Sequence, residues 1–281
     1  MMFEIYKDGG GSMHCQIENK GREAYLQFSN LGALDFLNHC VTTKKGGFSE
    51  GPFEGLNMGL FTEDSRESVL MNYKKVADDF GYDLKNAVFT NQVHGDCIAV
   101  IDESFHGESF WLGSRAVETD GMVTDIPRKP LIAFFADCAG IFIADPVHKA
   151  IGIAHAGWKG TAKEIGRKTI EAMERSFGTK AQDCIAAVGP SIGPCCFEVK
   201  EDVAEIFIKL YGESVVSMSE NPGRRKVDLW GSNRLGLIRA GLREENIEVS
   251  GLCTHCRDDL FYSHRGDKGI TGRTAGIMEI I

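Results

Sequence analysis

Two imidazoles and a thiol stand where apolar runs end. His94 follows the run 87–93 within NQVHG, Cys138 follows LIAFFA (131–136) within ADC, and His155 follows AIGIA (150–154) within HAGWKG. Such strand ends are where ligands gather in open α/β sheets. Two histidines and a cysteinate make a zinc set of the catalytic kind, with the fourth position left to water. The same groups could instead form a Cys-His nucleophilic pair. They lie 44 and 17 positions apart, which fits no short zinc motif, so only the fold can bring them together. Each also has an ordinary reading taken singly: a histidine satisfied in a turn, a cysteine packed behind an apolar strand.

Other segments add polar groups. HAGWKGT reads as a strand, a glycine turn and a helix start, where free backbone N–H groups and Lys159 and Lys163 favour an anion. GPSIGPCC (189–196) reads as a turn that forms one wall of a pocket. Its vicinal Cys195 and Cys196 suggest an oxidisable or metal-binding pair, but two buried thiols are the expectation. CTHC (253–256) has the spacing of half a zinc knuckle or of a redox pair. The sequence holds no second CxxC to complete it, so structural cysteines are expected there too. The tail FYSHRGDKGITGR (261–273) places Arg265 and Arg273 among glycines, where either could take a phosphate or carboxylate bidentately. His14, His39, His106 and His148 have no supportive context.

The elements that must position these groups follow from pattern. Asp64 and Glu67 have capping-box spacing ahead of a stripe of Val69, Leu70, Tyr73, Val76, Ala77 and Phe80, with Gly81 at the end. LIAFFA, IFIA (141–144) and AIGIA are short continuous apolar runs, as expected of strands buried on both faces. Thr161 and Glu164 could cap a helix whose face is Ala162, Ile165, Thr169, Ile170, Met173 and Phe177, stopped by Gly178. Further strands are expected at 87–93, 97–101, 184–188, 247–249 and 276–281, and further helices at 201–211 and 228–240. The first of these helices should turn Val203, Ile206, Phe207 and Leu210 inward, and Asp228 should cap the second. One or two strands are expected in the first 40 residues, and an exposed loop at 102–119. Strands and helices intermingle without a Pro/Ser-rich linker or a repeat, and strands outnumber helices. This predicts one α/β (α+β) domain over residues 1–281, with mixed β-sheets.

Composition narrows the function. At 43% apolar and 25% charged, the 281 residues form an ordinary globular chain. A net charge of −9 is the wrong balance for a nucleic-acid partner. No apolar run is long enough for a membrane span or a secretory signal, so a cytoplasmic protein with no membrane partner is expected. Nine cysteines in such a compartment read as reduced thiols. Glycine is abundant at 33 residues, which points to tight turns and backbone held close to something.

Together the motifs TTKKGG (42–47), GPFEGLNMGL (51–60), NQVHG, ADC, HAGWKG, GPSIGPCCFEV (189–199), CTH (253–255) and the YSHR…TGR tail resemble a bacterial family. It is the one named polyphenol oxidase or laccase-domain protein, purine nucleoside phosphorylase/adenosine deaminase, and peptidoglycan editing factor. The resemblance runs from about residue 41 to the C-terminus. It implies a four-layer α/β/β/α sandwich similar to cysteine-hydrolase-like toxin domains, and a metal on His94, Cys138 and His155, which would also be the catalytic residues. The family often has Arg at Lys44, Pro at Gly140 and Tyr-Arg-Arg at His264-Arg265-Gly266; lysine cannot reproduce the arginine fork.

The resemblance implies a zinc enzyme that phosphorolyses adenosine, inosine, guanosine or methylthioadenosine and deaminates adenosine. Its partners would be purine nucleosides and phosphate, with Lys44, Asn57 and Arg265 as substrate or phosphate contacts. Copper-dependent polyphenol oxidation is the first alternative, since a Cys-His₂ site also suits copper. A Cys-His hydrolase that edits peptidoglycan precursors is the second. A monomer and a homodimer both remain open.

Overall fold

The computed structural model describes residues 3–7, 13–105 and 117–281. His106 and most of the expected 102–119 loop lie outside the described residues. In chain order the elements are β1 (Phe3–Lys7), β2 (Met13–Lys20), β3 (Glu23–Phe28), α1 (Ser29–Gly32), β4 (Leu37–Thr42), α2 (Arg66–Phe80), β5 (Val88–Phe89), β6 (Ile98–Val100), β7 (Gly121–Thr124) and β8 (Leu131–Phe135). Then come β9 (Ala139–Asp145), β10 (Ala150–Ala156), α3 (Trp158–Ala162), α4 (Ile165–Phe177), β11 (Ile185–Val188), β12 (Glu198–Lys200) and α5 (Glu201–Tyr211). The chain ends with β13 (Val216–Met218), β14 (Arg224–Val227), α6 (Leu229–Arg239), β15 (Ile247–Val249) and β16 (Thr274–Ile280).

Among the described residues the strands form three sheets. The largest has the order β1-β2-β3-β4-β16-β8-β5, the second β15-β11-β9-β10-β7-β6, and a small third β12-β14-β13. The two large sheets are mixed: β5–β8, β6–β7 and β11–β15 pair in parallel, their other neighbours antiparallel. The fold is thus α+β, with mixed sheets and several helices.

Strand β9 shows why the central runs are uninterrupted. Phe142 and Ala144 point into a core shared with Val41, Leu131, Phe135 and Met278 of the first sheet. Ile141 and Ile143 point the other way, onto Ile165, Ile170 and Met173 of α4 and Leu237 of α6. The opposite face of the first sheet is covered by Val69, Tyr73, Val76 and Ala77 of α2. Helix, sheet, sheet and helix therefore stack in that order, so the central strands of the two large sheets are covered on both faces and need no polar alternation. A separate small core joins Ile192 and Phe197 to α5 and the third sheet.

Several local expectations change. Helix α2 is capped by Ser65, whose side chain accepts from the Ser68 N–H. Asp64 is committed elsewhere, to Asn57 and to the Ser65 N–H. Thr161 caps nothing: its hydroxyl donates to the Ala156 carbonyl. Glu164 sits at φ 57, which breaks the expected helix into α3 and α4. On α5, Phe207 is buried as expected and Val203 and Leu210 pack partly against the core, but Ile206 is exposed, and Ala204 and Tyr211 complete the buried face. The strand at 87–93 shrinks to Val88–Phe89, because the chain then turns to carry Gln92 and His94. Before residue 40 the chain already forms β1, β2, β3 and the start of β4, more than the one or two strands expected. Asp228 does cap α6, accepting from the Gly231 N–H.

Candidate active site

The ligand atoms of His94, Cys138 and His155 lie within 4.8 Å of one another. Each arrives by a different device. His155 is the penultimate residue of β10 and is 4% exposed. Cys138 stands in the bend between β8 and β9, delivered by Asp137, whose φ of 84 is in the left-handed region. That backbone is held by the Asp137 carboxylate, which accepts from Thr254 Oγ1 and Ser263 Oγ, each at 2.7 Å, and from the Arg265 N–H. A left-handed non-glycine residue costs about 1–2 kcal/mol, so these three bonds stabilise a conformation that aims the thiol. His94 is also left-handed, at φ 58.

Asp120 organises the two histidines. One of its oxygens lies 2.8 Å from His155 Nδ1 and accepts from the His94 N–H at 3.0 Å. The other accepts from the N–H groups of Val93 and Gly95. With Nδ1 occupied, His155 presents Nε2 to the site, the carboxylate–histidine arrangement of metal centres. Burial alone would raise the Asp120 pKa, but His155 and the backbone donors outweigh it and hold the group below the usual carboxylate range. Burial would likewise raise Cys138, yet the adjacent His155, with His94, lowers it to about 6. His155 moves the opposite way, up to about 9: burial opposes its charge, and Cys138 and Asp120 favour it.

The space between the ligands is kept open by Gly157. A Cβ there would lie 2.8 Å from Cys138 Sγ and 3.3 Å from His94 Cδ2. The donor set and this reserved space suit a tetrahedral metal with one open position. The site forms the floor of a cavity of about 420 Å³, within the range of small-molecule pockets. Its walls include Phe134, Phe197, Arg265 and Arg273. Gln92 holds the Phe134 wall through both backbone groups of that residue, at 2.7 and 2.8 Å. Arg265 lies over the Phe197 ring, 5.9 Å from its centroid. Arg273 donates to the carbonyls of Thr271 and Gly272.

Two of the expected contact residues are placed elsewhere. Lys44 is not among the pocket-lining residues; its backbone joins Leu260 and Leu56. Asn57 is fully buried behind the wall. It donates to Asp64 and Thr62 and accepts from the N–H groups of Gly59 and Arg273, so it braces lining residues without facing the cavity. The expected anion cradle at HAGWKGT is a helix of five residues, and Lys163 is paired with Asp96 at 3.0 Å. Asp120, Gln92 and Gly157 join the site without a signal of their own that marks them in the sequence. Gln92 and Gly157 each lie two residues from a histidine, whereas Asp120 is distant from both in sequence and meets them only in the fold.

Known proteins resemble the chain over most of its length. The purine nucleoside phosphorylase YlmD of Bacillus subtilis is 39% identical over 234 residues, 83% of this chain and 84% of its own. The adenosine deaminase RL5, from an unknown prokaryotic organism, is 32% identical over 253 residues, 87% of this chain and 96% of its own. The crystal structure of YlmD from Geobacillus stearothermophilus matches with a TM-score of 0.86 at 33% identity, covering 94% of this chain and 98% of that one. That of a Bacillus licheniformis hypothetical protein, YfiH, matches with a TM-score of 0.88 at 35% identity, over 94% and 99% of the two chains. The sequence model of the multi-copper polyphenol oxidoreductase laccase family matches residues 38–281. This chain belongs to that family.

Proposed function

We propose that the chain, acting as one catalytic domain over residues 1–281, is a zinc-dependent purine nucleoside phosphorylase that also deaminates adenosine. The observation that carries this reading is a Cys-His₂ cluster at the floor of a cavity walled by aromatic rings and two arginines. The relatives named as purine nucleoside phosphorylase and adenosine deaminase support the same substrate class. Adenosine, inosine, guanosine and methylthioadenosine are the proposed substrates, in a reduced, cytoplasmic setting. Among the described residues no helix is long and apolar enough to cross a membrane.

His94, Cys138 and His155 would hold the zinc, which supplies Lewis-acid polarisation and an acidified water when bound. Asp120 keeps the proton on His155 Nδ1, so that Nε2 remains a donor of electrons toward the site. Phe134 and Phe197 offer faces for a purine, and Arg265 and Arg273 offer planar forks for phosphate. In phosphorolysis a phosphate oxygen bonds to C1′ as the bond from C1′ to the base nitrogen breaks. The proton of hydrogen phosphate ends on the base. In deamination, water adds at C6 and ammonia leaves. Incubation of the metal-loaded protein with inosine tests the reading: hypoxanthine release that requires phosphate is expected. Zinc-replete protein that forms no product from inosine or adenosine would refute it.

One observation favours a second reading. Cys138, His155 and Asp120 also form the thiol–imidazole–carboxylate series of a cysteine hydrolase, in keeping with the proposed likeness to cysteine-hydrolase-like toxin domains and with peptidoglycan-precursor editing. Chelated protein would keep that activity and lose phosphorolysis. Copper in the same Cys-His₂ set would instead give polyphenol oxidation, measurable as oxygen uptake with a catechol.

A further inference from the structure

The two cysteine motifs left over by the nucleoside reading meet in space. The thiols of Cys195, Cys196, Cys253 and Cys256 all lie within 4.8 Å of one another. Cys195 Sγ is 3.6 Å and Cys196 Sγ 3.4 Å from Cys256 Sγ. A tetrahedron of sulfurs around zinc, with bonds of about 2.3 Å, has edges of about 3.8 Å. The sulfurs thus already stand near the corners such an ion needs. They are too far apart to be bonded as disulfides, which need about 2.05 Å. All nine cysteines are free.

The backbone is arranged to bring them there. Ser191 and Cys253 form a parallel β-bridge, with Ser191 N–H donating to Leu252 and Thr254 N–H to Ser191. The Gly193 N–H donates to Cys253 Sγ at 3.2 Å, the kind of contact that stabilises a thiolate ligand. Gly193 has no room for a side chain: a Cβ would lie 2.6 Å from the Trp230 ring and 3.1 Å from Cys253 Cβ. Each of the two segments supplies two thiols.

We propose that Cys195, Cys196, Cys253 and Cys256 form a second metal centre, a closed tetrathiolate zinc site that clamps the 189–197 loop to the 252–265 loop. Four thiolates leave no open position, which marks a structural rather than a catalytic ion. What it would hold is the pocket wall. The first loop carries Ile192 and Phe197 into the cavity, and the second carries Arg265. Thr254, between two of the thiols, donates to the Asp137 carboxylate that aims Cys138. The assignment does not depend on which reaction the pocket performs.

The test is metal analysis of protein purified under reducing conditions with zinc supplied. Wild type should hold about two equivalents per chain, and C195A/C256A about one. Cys195 and Cys256 are exposed, so their removal empties no core. Cobalt-substituted C138A should retain strong thiolate-to-cobalt charge transfer, and this measurement stands even if the double variant does not fold. C138A protein that holds no zinc would overturn the proposal. So would an unchanged metal content in C195A/C256A, loss of the charge-transfer band in C138A, or a disulfide among the four thiols in freshly purified, reduced protein.

Discussion

His94, Cys138 and His155 stand on the floor of a cavity, with a carboxylate behind one imidazole. Cys195, Cys196, Cys253 and Cys256 stand beside that cavity, partly open to solvent, with a backbone N–H behind one thiol. The first cluster has three ligands around a space that a glycine keeps clear. The second has four, at the crossing of two loops. Both rest on loops that the Asp137 carboxylate ties together. Ligand count and access separate the roles proposed for them: three donors facing a pocket would leave a position for chemistry, and four donors at a loop crossing would leave only a clamp.

That contrast can be broken by substitution. The largest effect is expected from Gly157→Ala. Its methyl group would press on Cys138 Sγ. Metal should leave the His94 centre, turnover should fall by about 10³-fold, within the range for losing a catalytic group, and the four-thiol centre should keep its ion. Metal analysis beside an inosine assay checks this. Asp120→Asn comes next. It keeps the shape and removes the charge behind His155, so activity or metal affinity should fall by about 10- to 100-fold. Arg265→Ala should raise the phosphate KM by about 10-fold, or about 1.4 kcal/mol, and leave both metals bound.

Titration sharpens the same contrast in metal-free protein. Cys138 is lowered to about 6 by the imidazoles. Cys195 is pushed up to about 11 by burial and by the neighbouring thiols. A thiolate forms as pH rises through its pKa, so alkylation of Cys138 should climb through about pH 6 and level off by neutrality. Cys195 should stay largely unlabelled there. Peptide mapping after pulse alkylation reads both sites. The smallest effect on turnover is expected from Asn57→Ala, which faces no substrate. Loss of its buried bonds should cost about 1–3 kcal/mol of stability, seen as a lower Tm with both metals retained.

The sequence makes the first cluster legible because each of its residues ends an apolar run, and those run ends, drawn from both large sheets, meet in the fold. Asp120 is not legible in that way. Its role depends on β7 lying beside β10, a pairing that places it against His155. The four-thiol cluster is hidden for a related reason: CC and CTHC are about 60 residues apart, and the fold brings them together at the Ser191–Cys253 bridge. Asn57 and Lys44 mislead because a polar residue in a glycine-rich segment looks the same whether it faces a pocket or braces its wall. The caps at Asp64 and Thr161 fail by competition. Asp64 has a better partner in Asn57, and Thr161 in the Ala156 carbonyl. The core of the two large sheets was easier to read, since continuous apolar runs can be satisfied only between covered faces.

We propose that the Cys-His₂ floor carries the nucleoside chemistry. Phosphate-dependent release of hypoxanthine from inosine, compared in zinc-replete wild type and Cys138→Ala, tests it most directly. Phosphate-dependent turnover is expected in wild type and its loss in the variant, while the variant's four-thiol centre stays loaded. Full phosphorolysis by the Cys138→Ala protein would contradict it.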